Sequence, residues 1–172
     1  IYPRINHGKL DITVCCRSND MIWGAYGANI VHFSMIQEYM AGKIGVGIGK
    51  YYQFSNNFHA YRDIFEKLNS AGAFKERVFS YPYELEPIGD DWSKWDIDLI
   101  DFMNWSKSQE SRNKTPRPTF HNSWFTTTVV PMFRAHLAYR DKNYSEAMSE
   151  IKEVESRDWS QAGETWLQKR IK

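Results

Sequence analysis

Three stretches of the sequence carry residues whose types and spacing could act together: Arg17-Ser18-Asn19-Asp20, Asn29, and the pair His59 and Tyr61. An arginine beside a hydroxyl can grip phosphate through charge-assisted hydrogen bonds, each contributing about 1.5–3 kcal/mol net. An asparagine amide both donates and accepts, which suits the edge of a pyrimidine base. His59 and Tyr61, two apart on an extended segment, point to one side and could share a sugar hydroxyl. Phosphate, base and sugar together make a nucleotide. Each feature alone has a plainer use, as a surface ion pair, a helix cap or packing.

These residues need elements to hold them. Leu10, Ile12, Val14 and Cys16 alternate with Asp11, Thr13, Cys15 and Arg17, the period of a strand with one buried face, with Arg17 on the other face. After Gly24 and Gly27, Asn29 is expected to cap a helix carrying Phe33, Ile36 and Met40, ended by Gly42. That helix is apolar on more than one side and is expected to be buried. A second strand is read from Ile44 to Phe54. Its Gly45-Val46-Gly47-Ile48-Gly49 run lacks the spacing of a dinucleotide fingerprint and is read without a surrounding strand-helix-strand unit, so its glycines point to close approach of another backbone. Arg62 to Leu68 reads as a helix stopped near Gly72, and Val78 to Tyr83 as a short strand weakened by Pro82.

From Asp90 the pattern becomes helical. Trp95, Leu99 and Phe102 form a stripe, with Asp96, Asp98 and Asp101 around it. Those acids are read as favouring the helix dipole and solvent rather than as metal ligands. Thr115-Pro116-Arg117-Pro118-Thr119 is the clearest linker, and it divides a portion 1–114 from a helical extension 115–172. In the extension Val130 to Arg140, Ser145 to Val154 and Asp158 to Lys169 read as helices, with Asp158 as N-cap. Trp124, Trp159 and Trp166 are read as core before they are read as partner anchors.

Composition limits the rest. The chain has 172 residues, with 22 Lys plus Arg against 21 Asp plus Glu and no long apolar run, so neither a membrane span nor a broad nucleic-acid-binding field is expected. Tyr51, Tyr52 and Phe54 could stack single-stranded bases, but no basic track accompanies them. Two adjacent cysteines, Cys15 and Cys16, give neither a disulfide framework nor a zinc site; both are read as structural, in a reducing, cytoplasmic setting. The start Ile1-Tyr2-Pro3-Arg4, without Met or signal region, reads as that of a fragment.

The run R-S-N-D-M-I-W-G-A-Y-G-A-N-I-V-H-F-S-M-I-Q-E-Y-M-A, followed by F-S-N-N-F-H-A-Y, resembles the C-terminal portion of thymidylate synthase and the related pyrimidine-nucleotide hydroxymethylases, particularly phage-type members. The likeness is clear from about Gly8 to Tyr61. It implies an α+β fold, with a mixed β-sheet, a long buried helix and, here, a mostly helical C-terminal extension. It implies that Arg17 and Ser18 bind the 5′-phosphate, that Asn29 reads the pyrimidine, and that His59 and Tyr61 hold the deoxyribose 3′-hydroxyl. Asp20, with Trp23 and Gly24, would face 5,10-methylene-tetrahydrofolate, which donates one carbon to C5 of a pyrimidine deoxynucleotide monophosphate, dUMP being favoured by asparagine at position 29. No metal is implied, and a homodimer is.

The resemblance also marks departures. The family's cysteine nucleophile lies on the preceding strand and would fall upstream of Ile1, so this stretch is expected to be inactive alone. Gly24 to Asn29 is one residue longer than the family pattern and has no Pro-Phe. The alternative to an enzyme portion is a non-catalytic module that keeps the nucleotide pocket for binding or interaction.

Overall fold

Alternation makes the central strand. In β2 (Lys9–Asp20), Leu10, Ile12 and Val14 are almost fully buried while Lys9, Cys15 and Arg17 are exposed. The buried row packs with Ala41, Phe33 and Met40 of α1 (Asn29–Ile44), one apolar helix face on one sheet face. Before β2 runs β1 (Tyr2–Asn6), antiparallel to it through the His7-Gly8 turn, both of whose residues have positive φ. After α1 comes β3 (Gly47–His59), parallel to β2, giving a mixed sheet of order β1-β2-β3.

The computed structural model describes residues 1–72, 85–111 and 114–171. It divides into two compact units, Ile1–Ser80 and Tyr81–Lys172. The strand expected over Val78 to Tyr83 lies outside the described residues. In the first unit α2 (Arg62–Ser70) follows β3 and ends before Gly72, whose φ is positive.

Three expectations for the α1 helix are corrected. Asn29 is not the cap but the first residue of α1: a wide helical turn over Met21–Ala28 precedes it, and Asp20 caps that turn, its Oδ1 accepting from Ile22 N at 3.0 Å and from Trp23 N. Gly27 breaks the helical dihedrals where the two meet, and α1 runs past Gly42 to a left-handed cap at Gly45. Nor is α1 buried all round. Gln37 and Ala41 are buried, but Val31 and Ile44 are about half exposed (45% and 51%), because the sheet covers one face only.

The glycine run does sit in a strand-helix-strand unit, at the end where the helix returns to the sheet. There β3 carries one residue more than β2 between the pairs Leu10/Ile48 and Ile12/Tyr51. Gln37 Nε2 donates to Leu10 O at 2.7 Å and Lys50 O at 3.2 Å, and Lys50 N donates to Asp11 Oδ1 at 2.6 Å, which satisfies the bulge. A Cβ at Gly49 would overlap Asp11 Oδ1 and lie 2.7 Å from Leu10 O, so the close backbone approach is specific to that glycine.

The second unit is helical: α3 (Trp95–Gln109), α4 (Val130–Arg140), α5 (Tyr144–Lys152) and α6 (Arg157–Gln168), with a wide turn over Phe125–Val129 leading into α4. Ala135, Ala138, Ala147, Ile151 and Leu167 form the core of the last three helices. Phe102, Trp105, Phe125 and Phe133 stack edge to face or tilted beside α3. Ser156, rather than Asp158, is the N-cap residue of α6.

Asp98 does not face solvent. It is fully buried and accepts from His121 N (2.9 Å), His121 Nδ1 (2.9 Å), Asn122 N and Asn122 Nδ2 (both 2.7 Å). These bonds join α3 to the segment just beyond Thr119, so the Thr115–Thr119 stretch is an internal loop of the second unit. Among the three tryptophans, Trp124 is buried and Trp166 is 41% exposed.

Candidate functional site

The parallel pairing of β2 and β3 brings their C-terminal ends to one edge of the first unit. Ser18 pairs with Asn57, Asn19 with Phe58 and Asp20 with His59. Ligand sites of such sheets lie beyond the carboxyl ends of the strands. The Arg17–Asp20 run and the His59–Tyr61 run therefore leave the sheet side by side, at the start of the helical turn that Asp20 caps.

Arg17 and Ser18 are exposed, and Arg17 has no ion-pair partner among the described residues, so its guanidinium is available to an anion. His59 and Tyr61 meet edge to face with ring centroids 5.6 Å apart. The contact His59 Nδ1 makes to Asn57 O is long, 3.4 Å, and Tyr61 is 58% exposed. Both polar tips are free to turn to a ligand.

Asn29 is half-buried and tied back to the strand end. Its Nδ2 donates to Asn19 Oδ1 at 2.9 Å, and Asn19 Nδ2 donates to Ser55 Oγ at 3.0 Å. Asn19 is 2% exposed. Strict alternation would have put it with Arg17 on the outer face, but the alternation lapses where Arg17 and Ser18 are both exposed, and Asn19 is buried with bonds to Asn29 and Ser55. The sequence marks Asn19 only as a member of the Arg17–Asp20 stretch, with no role of its own, and does not mark Ser55; only polar character inside strand runs points to either.

Ser55 also lines an open cavity of about 410 Å³ together with Ala25, Tyr26, Ile30, Tyr51, Gln53 and Phe58. Tyr51 donates its hydroxyl to Gln53 Oε1 at 2.6 Å. Burial, and then the neighbouring Cys16 thiol, push the Tyr51 hydroxyl above its ordinary value, so it stays a neutral donor.

The three residues expected toward a folate stand differently. Asp20 spends Oδ1 on the helix cap, while its Oδ2 is buried with no partner among the described residues. An orphaned buried carboxylate oxygen suits a ligand that brings N–H donors, as the pterin ring of a folate does. Trp23 is 66% exposed and offers a ring face. Gly24 packs on the amides: a Cβ there would overlap Asn19 Oδ1 and lie 3.1 Å from Asn29 Nδ2. Cys15 and Cys16 are free thiols, exposed and half-buried respectively. Among the described residues no group of three or more His, Cys, Asp or Glu could hold a metal, and no helix is long and apolar enough to cross a membrane.

The chain is 34% identical over 178 aligned residues to a deoxyuridylate hydroxymethyltransferase of Pseudomonas phage M6, across 95% of this chain and 48% of that protein. It is 48% identical over 60 residues to a deoxyuridylate hydroxymethyltransferase of Bacillus phage SP01, covering 35% of this chain and 16% of that one. A thymidylate synthase of Streptococcus suis (strain 05ZYH33) is 33% identical over 98 residues, 54% of this chain and 33% of that protein. The chain thus spans about half the length of the first of these relatives and less of the others. No family model matches the chain. No solved structure matches it.

Proposed function

We propose, from the premise that this chain belongs to the thymidylate-synthase-like family of phage type, that it is the nucleotide-binding portion of an enzyme adding a one-carbon unit to C5 of dUMP. Arg17 and Ser18 hold the 5′-phosphate, Asn29 reads the uracil edge, and His59 and Tyr61 hold the 3′-hydroxyl. The observation that carries this reading is the shared strand end: Asp20 pairs with His59, and Asn19 of the same run bonds Asn29. Phosphate-, base- and sugar-binding types are thereby gathered at one edge.

Asp20 and Trp23 face the folate, Asp20 through its Oδ2, which has no partner among the described residues, and Trp23 through its exposed ring. Gly24 serves the amide pair rather than the folate. Bound there, 5,10-methylene-tetrahydrofolate supplies a carbon at the oxidation level of formaldehyde; a hydroxymethyl product keeps that level by taking up water, whereas a methyl product needs a hydride. The names of both phage relatives favour the hydroxymethyl product. As the resemblance to the family implies, the thiolate that activates the ring comes from the intact protein outside residues 1–172 rather than from Cys15 or Cys16.

The sheet face away from α1 supports a homodimer. Tyr52 and Phe54, register partners of Thr13 and Cys15, are 42% and 61% exposed there.

The test is to incubate the intact protein with 5-tritiated dUMP and methylene-tetrahydrofolate. Tritium release with 5-hydroxymethyl-dUMP as product supports the reading. Release with dTMP as product replaces hydroxymethyl by methyl transfer. No release, with dUMP still bound, favours a binding module.

A further inference from the structure

We infer that the outer face of α3 is a contact between two copies of this protein, in which the two α3 helices lie antiparallel across a two-fold axis. The inference does not depend on the proposed function.

The helix is apolar on two sides. Its inner side, with Trp95 and Trp105 buried and Phe102 packed against Phe125 and Phe133, belongs to the core of the second unit. On the other side Ile97, Ile100 and Met103 are 45%, 57% and 46% exposed. Their spacing puts these three large apolar side chains next to one another on one helix face, a patch that water does not favour.

The charges around the patch say what covers it. Asp96, Ile100, Met103 and Lys107 follow one another at four, three and four residues, so they form one row along the helix, and both charged ends are exposed. The row is its own complement. Asp96 and Lys107 share their midpoint with Ile100 and Met103, between Asp101 and Phe102. A second α3 laid antiparallel over that midpoint sets Asp96 of each copy against Lys107 of the other, and Ile100 of each against Met103 of the other. A parallel arrangement would instead set Asp96 against Asp96 and Lys107 against Lys107, which repel. Charge therefore selects both the occupant, a second copy, and its direction. Asp96 also interacts within its own chain, but the two oxygens of a carboxylate accept from more than one cation. A face of about three helical turns covers less than the roughly 1,200 Å² of a standard stable interface, so this contact depends on concentration.

The experiment is sedimentation of the intact protein over a concentration series up to about 0.5 mM, which reaches weak contacts. Ile100→Glu, Asp96→Lys and Lys107→Glu variants are compared, each first checked by thermal melting. In the unaltered protein the mass doubles as concentration rises, whether the starting species is one chain or a dimer formed through another face. Ile100→Glu raises the dissociation constant of that step by about tenfold or more, and Met103→Glu serves where it does not fold. Asp96→Lys or Lys107→Glu alone also weakens the step, because each sets like charges together at both ends of the row. An equimolar mixture of these two variants restores it: the new lysine of one copy faces the new glutamate of the other, and the native Lys107 and Asp96 face each other. Covering by any other partner would not give that restoration. A mass that does not double in this range, or a doubling that all the variants leave unchanged, overturns the inference and gives the face to another segment of the intact protein. Loss in the single charge variants without restoration in the mixture overturns the antiparallel pairing.

Discussion

Asp20 and His59 are register partners at the last positions of two parallel strands. Their pairing depends on a feature near the other end of the ladder. The extra residue that β3 carries after Ile48 shifts every later pair by one; without it Asp20 would face Phe58, and His59 would leave the sheet beyond the end of β2.

Gly49 permits that bulge, so Gly49→Ala is expected to strain it. Its Cβ would overlap Asp11 Oδ1 and press on Leu10 O, and both belong to hydrogen bonds that close the bulge. A loss of roughly 1–3 kcal/mol in unfolding free energy is expected, read from denaturant midpoints at unchanged m-value. Gly47→Ala is the control, since nothing lies closer than 3.3 Å to its Cβ position.

Arg17→Ala should act on binding and not on folding. The guanidinium is exposed and unpaired among the described residues, so the melting temperature should stay within about one degree, as for surface changes of under roughly 0.5 kcal/mol. Loss of a charge-assisted phosphate contact worth about 1.5–3 kcal/mol predicts a dUMP affinity lower by roughly 10- to 150-fold in calorimetry. Binding of deoxyuridine, which lacks the phosphate, should not change.

Asn29→Asp should turn the site away from uracil. A carboxylate cannot donate to O4, and its oxygens suit the N4 amino group of cytosine. The bonds that run from Asn29 through Asn19 to Ser55 can adapt, because Asn19 can turn its N–H toward the new carboxylate and the Ser55 hydroxyl can donate instead of accept. A reversal of preference from dUMP to dCMP is the expected result of competition titrations.

In the second unit Asp98 sets an acid limit. Burial alone would raise its carboxyl, but hydrogen bonds from the Asn122 side chain, from the backbone N–H of His121 and Asn122 and from the His121 ring outweigh it and hold the group below its ordinary value. A depressed folded-state value means stability that is fully present above the unfolded carboxylate range, near pH 4, and lost as pH falls through the folded value. Acid melting followed by tryptophan fluorescence should show this loss below about pH 4. Asp98→Asn puts an N–H where donors already converge, and should cost roughly 2–4 kcal/mol at neutral pH and flatten the acid limb.

What the sequence revealed follows from which forces write a local signature. The alternation of Leu10, Ile12 and Val14 marks burial on one face and located β2. Periodicity likewise located α4, α5 and α6 to within a residue or two. β1 left no such mark, because every residue from Tyr2 to Asn6 is exposed and Pro3 reads as a breaker, although an edge strand tolerates it. The cap went to Asn29 rather than Asp20 because the wide turn between them has no regular apolar spacing. The burial of Asn19 and of Asp98 is hidden from the sequence for a common reason: both are held by hydrogen bonds to distant segments, Ser55 and Asn29 for one, His121 and Asn122 for the other. Such partners are invisible to any local window.

The most direct measurement is a dUMP titration of the isotopically labelled protein followed by amide NMR, side-chain amides of Asn19 and Asn29 included. Saturable shifts confined to Arg17–Asp20, Asn29, Ser55 and His59–Tyr61 are predicted, with the Asn29 side-chain amide moving most. Saturation of dUMP binding with these signals unmoved and shifts gathered instead among α4, α5 and α6 would contradict the account.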